Sequence, residues 1–274
     1  MIGEFFIKNG ALLPVSEGVI PIDHLELFYG FGVYELIKVR HLQAHLLPEH
    51  TARLIQSAAI IGLEHEFSLE KIGEWAETLV KENNIDAANI KVLLLGGPSA
   101  AEAILYIFLT APRFVEKKEY RDGVKVITVK HERFLPQAKT LNMLPSYLAY
   151  RDAKAAGAFD ALFVDHENRV HEGTRTNFFA IIGKILITPP LGIVLGGITR
   201  QTVVQCANQN GFMIEERLLT VEEIKQADGA FITNTSGGIV PIRQIGDFQY
   251  PEITLEIQKL RKLYEEFSYD TLNP

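Results

Sequence analysis

Strand-like and helix-like segments follow one another irregularly along this 274-residue chain. Asn9-Gly10 between two short apolar runs predicts a hairpin, and the alternating run 32–39 predicts a strand. Apolar residues at helical spacing predict a helix over 48–61, and Ser68 has the side chain of an N-cap for a second one. A doubly wound parallel sheet needs regular alternation of strands and helices. The irregular order therefore predicts a mixed α+β protein in two parts.

The boundary between the two parts is marked by a change in composition. Ala111-Pro112-Arg113 ends a strand-rich region, and the stretch over 114–122 that follows is rich in Glu and Lys. We therefore predict a small N-terminal domain over 1–113, a linker over 114–122 and a larger domain over 123–274.

Charge and cysteine content exclude several classes of protein. The net charge of −7 and the pI near 5.7 argue against nucleic-acid binding, which usually needs a strongly basic face. A single cysteine, Cys206, excludes a disulfide scaffold and a zinc site built on cysteines, and its helical spacing suits the core. No apolar run approaches the roughly 20 residues of a membrane helix, and no signal-peptide pattern is visible. We expect a cytoplasmic globular enzyme.

Lys139 is the first candidate for chemistry. It lies in Gln-Ala-Lys-Thr-Leu-Asn, between an apolar strand pattern and an apolar helix pattern. Taken alone, such a residue is typical of a surface turn. In a suitable environment a lysine can instead form a Schiff base with a carbonyl compound.

Three further segments combine glycine with hydrogen-bonding side chains. Their sequences are His-Glu-Gly-Thr-Arg-Thr-Asn over 171–177, Gly-Gly-Ile-Thr-Arg over 196–200 and Thr-Asn-Thr-Ser-Gly-Gly over 233–238. The second opens a predicted helix and the third follows a predicted strand, where N–H groups and hydroxyls can bind an anion. Each segment alone also fits an ordinary polar turn or helix entry.

Together, the order and spacing of these segments resemble the class IV aminotransferases, the pyridoxal-phosphate enzymes of fold type IV. That family includes branched-chain aminotransferases, D-amino acid aminotransferases and aminodeoxychorismate lyases. The resemblance extends from Asp23 to about Pro241. It implies a small N-terminal α/β domain, a larger C-terminal mixed β domain with flanking helices, pyridoxal 5'-phosphate as cofactor, and a homodimer.

The resemblance also implies how the cofactor is bound. Lys139 forms the Schiff base and then carries the substrate's α-proton, and Glu172 faces the pyridine nitrogen and keeps it protonated. The phosphate is expected to be bound by a guanidinium, a helix start and two hydroxyl groups. The residues for this role are Arg53, Ile198, Thr199, Thr235 and Ser236.

Three residues are predicted to bind the substrate. Tyr29 and Glu35 belong to a Tyr-Gly-Phe-Gly-Val-Tyr-Glu stretch that resembles the family's motif, although a structural role for Glu35 fits as well. Arg175 stands three residues after Glu172, and its planar guanidinium suits a substrate carboxylate. An ion pair with an acid such as Asp165 is the alternative for Arg175.

The chain departs from the family's pattern at two places. Met143 stands where many members carry a tyrosine that contacts the cofactor ring. The loop over 96–102 is short and lacks the arginine and histidine that D-amino acid enzymes of the family carry there. Substrate identity and chirality therefore stay open.

Four histidines of the first half are candidate metal ligands. His41, His45, His50 and His65 have no ligand spacing supported by neighbouring carboxylates, so we expect surface histidines and no metal site.

Three functions remain compatible with the sequence. The first is an aminotransferase that moves an amino group between an amino acid, branched-chain-like or of D configuration, and a 2-oxo acid. The second is a lyase that releases pyruvate and 4-aminobenzoate from aminodeoxychorismate, and the third is a relative without catalytic activity. Glu35 and Arg175 favour transfer, and the joint presence of Lys139, Glu172 and Arg53 argues against the third function.

Overall fold

The computed structural model describes residues 1–270 and divides the chain into two compact units. Unit 1 consists of Met1–Arg113 together with Ala138–Asn142. Unit 2 consists of Phe114–Gln137 and, of the described residues, 143–270. The predicted boundary after Arg113 thus separates the units, but a short segment beyond it belongs to unit 1.

Unit 1 is a six-stranded antiparallel sheet with helices. Its strands are β1 (Ile2–Lys8), β2 (Ala11–Pro14), β3 (Gly32–Arg40), β4 (Gln43–Ala44), β5 (Ala87–Leu95) and β6 (Ile104–Thr110). Their order in the sheet is β2-β1-β6-β5-β3-β4. Its helices are α1 (Leu25–Phe28), α2 (Leu47–Ile60) and α3 (Leu69–Asn83), with one-turn 3-10 helices at Val15–Glu17 and Ala100–Glu102.

The local signals of the sequence explain the elements of unit 1. Asn9 and Gly10 both have positive φ angles, as a two-residue hairpin turn between β1 and β2 requires. The Ser68 hydroxyl accepts the Lys71 N–H at 3.3 Å and so caps α3, as predicted. Alternate residues of β3 and β5 pack against α2 and α3 in one apolar core. That core includes Val33, Ile37, Leu54, Ile72, Leu79, Ile90 and Val92.

Unit 2 is built on a ten-stranded mixed sheet. Its strands are β7 (Val124–Lys130), β8 (Asp160–Val164), β9 (Arg169–Gly173), β10 (Asn177–Ile182), β11 (Ile185–Thr188), β12 (Met213–Glu216), β13 (Leu219–Thr220), β14 (Gly229–Asn234), β15 (Gly238–Ile245) and β16 (Phe248–Gln249). The order is β12-β11-β10-β14-β15-β7-β8-β9-β13, and β16 pairs with β15. A pairing of Asn177 with Glu172 joins β10 to β9, so the strands from β10 round to β9 close into a ring.

Strand alternation divides the apolar residues of unit 2 between two faces. One face of the ring forms a core that includes Val126, Leu162, Phe178, Ile232, Val240 and Ile242. The neighbouring residues Phe179 and Phe231, whose rings stack at 4.9 Å, pack on the other face against Val203 and Leu260. These two residues lie on helices α6 (Ile198–Gln209) and α8 (Leu255–Asp270). The remaining helices of unit 2 are α4 (Lys117–Asp122), α5 (Leu144–Ala155) and α7 (Val221–Lys225).

The predicted linker over 114–122 differs from the observed structure. Most of it is helix α4, which begins with a capping box between Glu116 and Glu119 and belongs to unit 2. The Tyr120 hydroxyl donates to the Gly237 carbonyl oxygen at 2.9 Å, which ties α4 to the sheet. The charged residues of this stretch therefore belong to a short, capped surface helix. The two-part mixed α+β fold itself is confirmed.

Candidate active site

Lys139 is held by its backbone within unit 1. Its N–H donates to the Ser57 hydroxyl at 3.1 Å, and its carbonyl oxygen accepts the Tyr34 N–H at 3.0 Å. Thr140 and Val33 form a β-bridge, so the segment 138–142 runs along the start of β3. Ser57 is completely buried on α2. The main chain at Lys139 is therefore fixed, and only the side chain can move.

The ring of Tyr34 lies beneath two lysine side chains. The Nζ atom of Lys139 is 4.7 Å from the ring centroid, and the Nζ atom of Lys91 on β5 is 3.7 Å from it. A cation over an aromatic face is stabilised by about 0.5–2 kcal/mol. Lys91 was not predicted to belong to a site. The charge of a lysine within an otherwise apolar strand was the available signal.

A buried carboxylate, Glu35, binds two basic side chains of unit 1. The Arg53 Nε and Nη2 groups donate to its two oxygens at 2.7 and 2.8 Å, and His50 Nδ1 lies 2.7 Å from Oε2. Glu35 is fully buried and Arg53 is only 9% exposed. Glu35 was interpreted either as a substrate ligand or as a structural residue. This geometry favours the structural role, because both carboxylate oxygens accept hydrogen bonds from side chains of unit 1. The geometry also fixes the plane of the Arg53 guanidinium.

The charges of this cluster change the acidity of its members. Burial by itself would raise the pKa of Glu35, but the positive charge of Arg53 and hydrogen bonds from His50 and Arg53 lower it to about 2. Burial also lowers the pKa of His50, which outweighs the opposing effect of Glu35. The carboxylate is therefore ionised across the physiological range.

The prediction that His50 is a surface histidine was wrong. His50 is 2% exposed and occupies the face of α2 that packs on β3, where it binds Glu35. A His-x-x-Arg spacing places both basic groups on one side of a helix, and this was the signal that could have paired them. Within residues 1–270, no group of three or more His, Cys, Asp and Glu side chains has an arrangement that could hold a metal ion.

In unit 2, Glu172 is held at the point where β9 meets β10. Its Oε1 atom lies 2.8 Å from Arg133 Nε. Its Oε2 atom accepts the Leu195 N–H at 3.2 Å and the Asn177 side-chain amide at 3.4 Å. Glu172 is 4% exposed. The carboxylate therefore has a fixed orientation beside the segment that enters α6.

Arg133 is a residue that the sequence analysis missed. Besides pairing with Glu172, its Nη2 group donates to the carbonyl oxygens of Gly173 and Thr174 at 3.2 and 2.7 Å. Its only sequence signal was an isolated arginine six residues before Lys139. Nothing in the local pattern linked it to Glu172, since the two are distant in the chain.

Gly173 is required by the packing around Glu172. A Cβ atom there would lie 2.0 Å from the Thr176 hydroxyl oxygen and 2.6 Å from Asp160 Oδ2. We therefore expect Gly173→Ala to lower the free energy of unfolding by about 1–3 kcal/mol. Calorimetric unfolding measures this change.

A matched control is Gly73→Ala on α3, where a Cβ meets nothing within 4 Å, and a stabilisation of about 1 kcal/mol is expected. Equal unfolding midpoints for Gly173→Ala and the unsubstituted protein would contradict the packing argument.

The candidate anion-binding groups of unit 2 lie at a helix start and in a turn. Ile198 and Thr199 form the first turn of α6, whose N–H groups have no partners within the helix, and both residues are buried. Thr235 and Ser236 are half-buried in the turn between β14 and β15. The side chain of Asn234 accepts the Gly237 N–H at 2.7 Å and so fixes this turn. Their role in binding phosphate stays a prediction.

Arg175 lies on the surface of unit 2, between β9 and β10. Its guanidinium carbon is 4.7 Å from the centroid of the Tyr150 ring. The alternative ion pair with Asp165 is not formed, because that carboxylate binds Arg169 at 2.7 Å and His171 at 3.3 Å instead. The interpretation of Arg175 as a substrate ligand stays a prediction.

The other predicted positions are placed as follows. Tyr29 directly follows α1 and is 85% exposed. Met143 is the residue before α5. The short loop over 96–102 joins β5 to β6 and ends in a single 3-10 turn. Throughout the described residues no helix is long and apolar enough to cross a membrane.

Comparisons with known proteins agree with the resemblance. The model of the amino-transferase class IV family matches residues 32–245. A D-alanine aminotransferase from Bacillus licheniformis is 32% identical over 246 residues, which cover 86% of this chain and 87% of that protein. The crystal structure of the branched-chain aminotransferase from the archaeon Thermoproteus uzoniensis with norvaline matches with a TM-score of 0.89 at 27% identity, covering 99% of this chain and 96% of that one.

A third similar protein carries a different activity in its name. The crystal structure of a Legionella pneumophila protein described as a 4-amino-4-deoxychorismate lyase matches with a TM-score of 0.83 at 29% identity, and covers 91% of this chain and 96% of that one. The match of the family model over most of the chain confirms the predicted family and cofactor class. The chain belongs to the class IV aminotransferase family, and it is a pyridoxal-phosphate-dependent aminotransferase.

Proposed function

We propose that Lys139 is the catalytic lysine of this aminotransferase, and that the enzyme moves an amino group between an amino acid and a 2-oxo acid. The amino acid is branched-chain-like or of D configuration. The main observation that supports this proposal is the set of contacts that Lys139 makes within unit 1. Its N–H and C=O groups are bonded to Ser57 and Tyr34, and its ammonium group reaches the Tyr34 ring. A lysine anchored in this way can offer its side-chain nitrogen to a ligand without moving the main chain.

The donor and acceptor groups of the chain fit pyridoxal phosphate. The cofactor, when bound, supplies an electron sink for the electrons that remain after the α-proton leaves. Glu172 is proposed to hold a proton at the pyridine nitrogen, and its three protein partners keep the carboxylate oriented for that contact. Lys139 would bind the cofactor covalently. Once released, its amine would take the substrate's α-proton and deliver it to the C4′ carbon that the cofactor supplies.

A phosphate dianion needs a cationic group and uncharged hydrogen-bond donors. Arg53 is proposed for the first kind, with Glu35 holding its guanidinium in one plane. The N–H groups of Ile198 and Thr199 at the start of α6, and the hydroxyls of Thr235 and Ser236, are proposed for the second.

Arg175 and Tyr29 are proposed to contact the substrate. The support for Arg175 is its exposed guanidinium in the turn that follows Glu172, since a planar fork binds a carboxylate with two parallel hydrogen bonds. The support for Tyr29 is its exposed ring at the end of α1.

The visible spectrum of the cofactor-loaded protein tests the proposed function. We expect the yellow absorbance of the lysine-bound cofactor to disappear on titration with one class of amino acid, and to return on addition of a 2-oxo acid. A panel of L- and D-amino acids identifies the chirality. Protein that never turns yellow with pyridoxal phosphate would overturn the assignment of Lys139. Protein that turns yellow but responds to no amino acid would support a relative without catalytic activity.

The lyase is the second candidate, and the similarity to the Legionella protein favours it. Aminodeoxychorismate belongs in the same titration for this reason. Release of pyruvate without conversion of the cofactor to its amino form would identify the lyase reaction.

We also propose that the enzyme is a cytoplasmic homodimer. Several large apolar side chains of the segment before β3 are exposed, as expected of a surface that a second copy covers. They are Val19, Ile22, Leu25, Phe28 and Tyr29. The lone cysteine, Cys206, is a buried free thiol, which is compatible with a reducing compartment. Sedimentation equilibrium measures the oligomeric state.

A further inference from the structure

The turn between β9 and β10 presents one arginine between two buried threonines. Gly173 ends β9, Asn177 begins β10, and the Gly173 N–H donates to the Thr176 carbonyl oxygen at 2.8 Å. Thr174 and Thr176 are 1% and 5% exposed, whereas Arg175 between them is exposed. The threonines therefore point into unit 2 and the arginine points out.

One buried carboxylate binds both threonines. Asp160, the first residue of β8, accepts the Thr174 hydroxyl at 2.5 Å and its N–H at 3.3 Å on Oδ1, and the Thr176 hydroxyl at 2.9 Å on Oδ2. Oδ1 also accepts the N–H of Ala161 at 2.8 Å. Asp160 is 3% exposed. Burial raises the pKa of Asp160, and the four hydrogen bonds that its oxygens accept oppose that shift. These hydrogen bonds hold the turn on both sides of Arg175.

Two other groups complete the support of the turn. Arg133 donates to the carbonyl oxygens of Gly173 and Thr174, whereas Asp160 accepts from the N–H and hydroxyl groups of the turn. The half-buried ring of Tyr150 on α5 lies under the Arg175 guanidinium, 4.7 Å from centroid to Cζ. Lys154, one helical turn along α5, also approaches this ring, with Nζ at 5.1 Å.

We propose that Asp160, acting through Thr174 and Thr176, is the positioning residue that preorganises Arg175 for the carboxylate of an amino acid or 2-oxo acid. The inference rests on the proposed function, in which Arg175 binds that carboxylate. An arginine on a mobile turn loses much conformational freedom when it forms two hydrogen bonds to a carboxylate. An arginine on a turn that is already fixed loses less, so it binds the carboxylate more tightly. Asp160 does not touch the substrate, and its effect is on substrate affinity.

The test compares two substitutions of Thr176. Thr176→Val keeps the shape of the side chain but removes the hydroxyl that binds Asp160, and Thr176→Ser keeps the hydroxyl. We expect Thr176→Val to raise KM for the amino acid and the 2-oxo acid by roughly fivefold with kcat little changed, as for the loss of one hydrogen bond. Thr176→Ser should restore KM. Arg175→Gln should raise KM by roughly 30-fold, as for the loss of a charged hydrogen-bonded contact.

The double variant Arg175→Gln/Thr176→Val shows whether Thr176 acts through Arg175. We expect its KM to equal that of Arg175→Gln alone, because the positioned group is absent. An additional fivefold rise in the double variant would overturn the proposal, and so would a loss in kcat at unchanged KM, which indicates an effect on Glu172.

Failure of the proposed function and failure of the inference give different results. An unchanged KM for Arg175→Gln removes the substrate role of Arg175. A raised KM for Arg175→Gln with an unchanged KM for Thr176→Val, or for Asp160→Asn used in its place, removes only the positioning role of Asp160. Asp160→Asn is the second variant, used if Thr176→Val yields no folded protein; its side chain keeps the size of Asp160 but cannot accept hydrogen bonds on both atoms.

Discussion

Replacing Lys139 with alanine should reduce amino-group transfer by at least about 10⁴-fold. The substitution removes one nitrogen that is proposed to have two tasks, covalent attachment of the cofactor and transfer of the α-proton. The segment 138–142 should keep its position, because it is held by main-chain bonds to Ser57, Tyr34 and Gly32 that alanine retains. Single-turnover measurements with an amino acid and with a 2-oxo acid give the rate of each half of the reaction.

Lys91 provides the matched control for Lys139. Its ammonium group lies over the same Tyr34 ring and is 1.0 Å closer to the centroid, 3.7 Å against 4.7 Å. Borohydride reduction of the holoenzyme, followed by peptide mapping, should fix the cofactor on the peptide that contains Lys139, and this should persist in Lys91→Ala. Cofactor recovered on the Lys91 peptide, or transfer at the original rate by Lys139→Ala, would show that the wrong lysine was assigned.

Local sequence patterns predicted the elements that depend on local forces. The Asn9-Gly10 turn, the Ser68 cap and the strand over 32–39 each follow from backbone or side-chain preferences within a few residues. Strand β9 was missed because its sequence, Arg-Val-His-Glu-Gly, alternates poorly and carries charge. Its polar side chains are buried together with partners: Asp165, in the turn before β9, binds His171, and Arg133 binds Glu172.

The candidate site was predicted only as far as the family resemblance reached. Lys139 and Glu172 have no local pattern that distinguishes them from a surface lysine and a solvated glutamate. The partners that hold the site, His50 for Glu35 and Arg133 for Glu172, are distant in the chain. Such pairs follow from the packing of whole elements, and hydrophobic periodicity carries no information about them.

Glu35→Ala should be among the most destabilising single substitutions in unit 1. It leaves Arg53 and His50 buried without the carboxylate that binds both, and removing one member of a buried ion pair typically lowers the free energy of unfolding by about 3–5 kcal/mol. Urea unfolding followed by tryptophan fluorescence measures the effect in unit 1, because the only tryptophan of the chain, Trp75, lies on α3.

The control for Glu35→Ala is the same substitution at a glutamate whose side chain does not contact Arg53 or His50. Glu49 is exposed on α2, one residue before His50, and Glu49→Ala should leave the free energy of unfolding within about 0.5 kcal/mol. Cofactor affinity gives a second readout, since a misoriented Arg53 should weaken the binding of pyridoxal phosphate in Glu35→Ala and not in Glu49→Ala. Equal stability of the two variants would refute the structural role of the Glu35 cluster.

The pH dependence of stability separates the charge of Glu35 from its packing. Its pKa is about 2 in the folded protein, against an ordinary 4.5, so the unfolded chain binds the proton first as the pH falls. The ionised carboxylate therefore contributes about 3 kcal/mol to the free energy of unfolding above pH 4.5, and this contribution is lost as the pH falls from 4.5 to about 2.

Glu35→Gln resembles the protonated acid at every pH. The difference in unfolding free energy between the unsubstituted protein and Glu35→Gln should consequently be largest at neutral pH and shrink toward zero near pH 2. A difference that is independent of pH would mean that the amide disturbs packing and that the Arg53 charge contributes little.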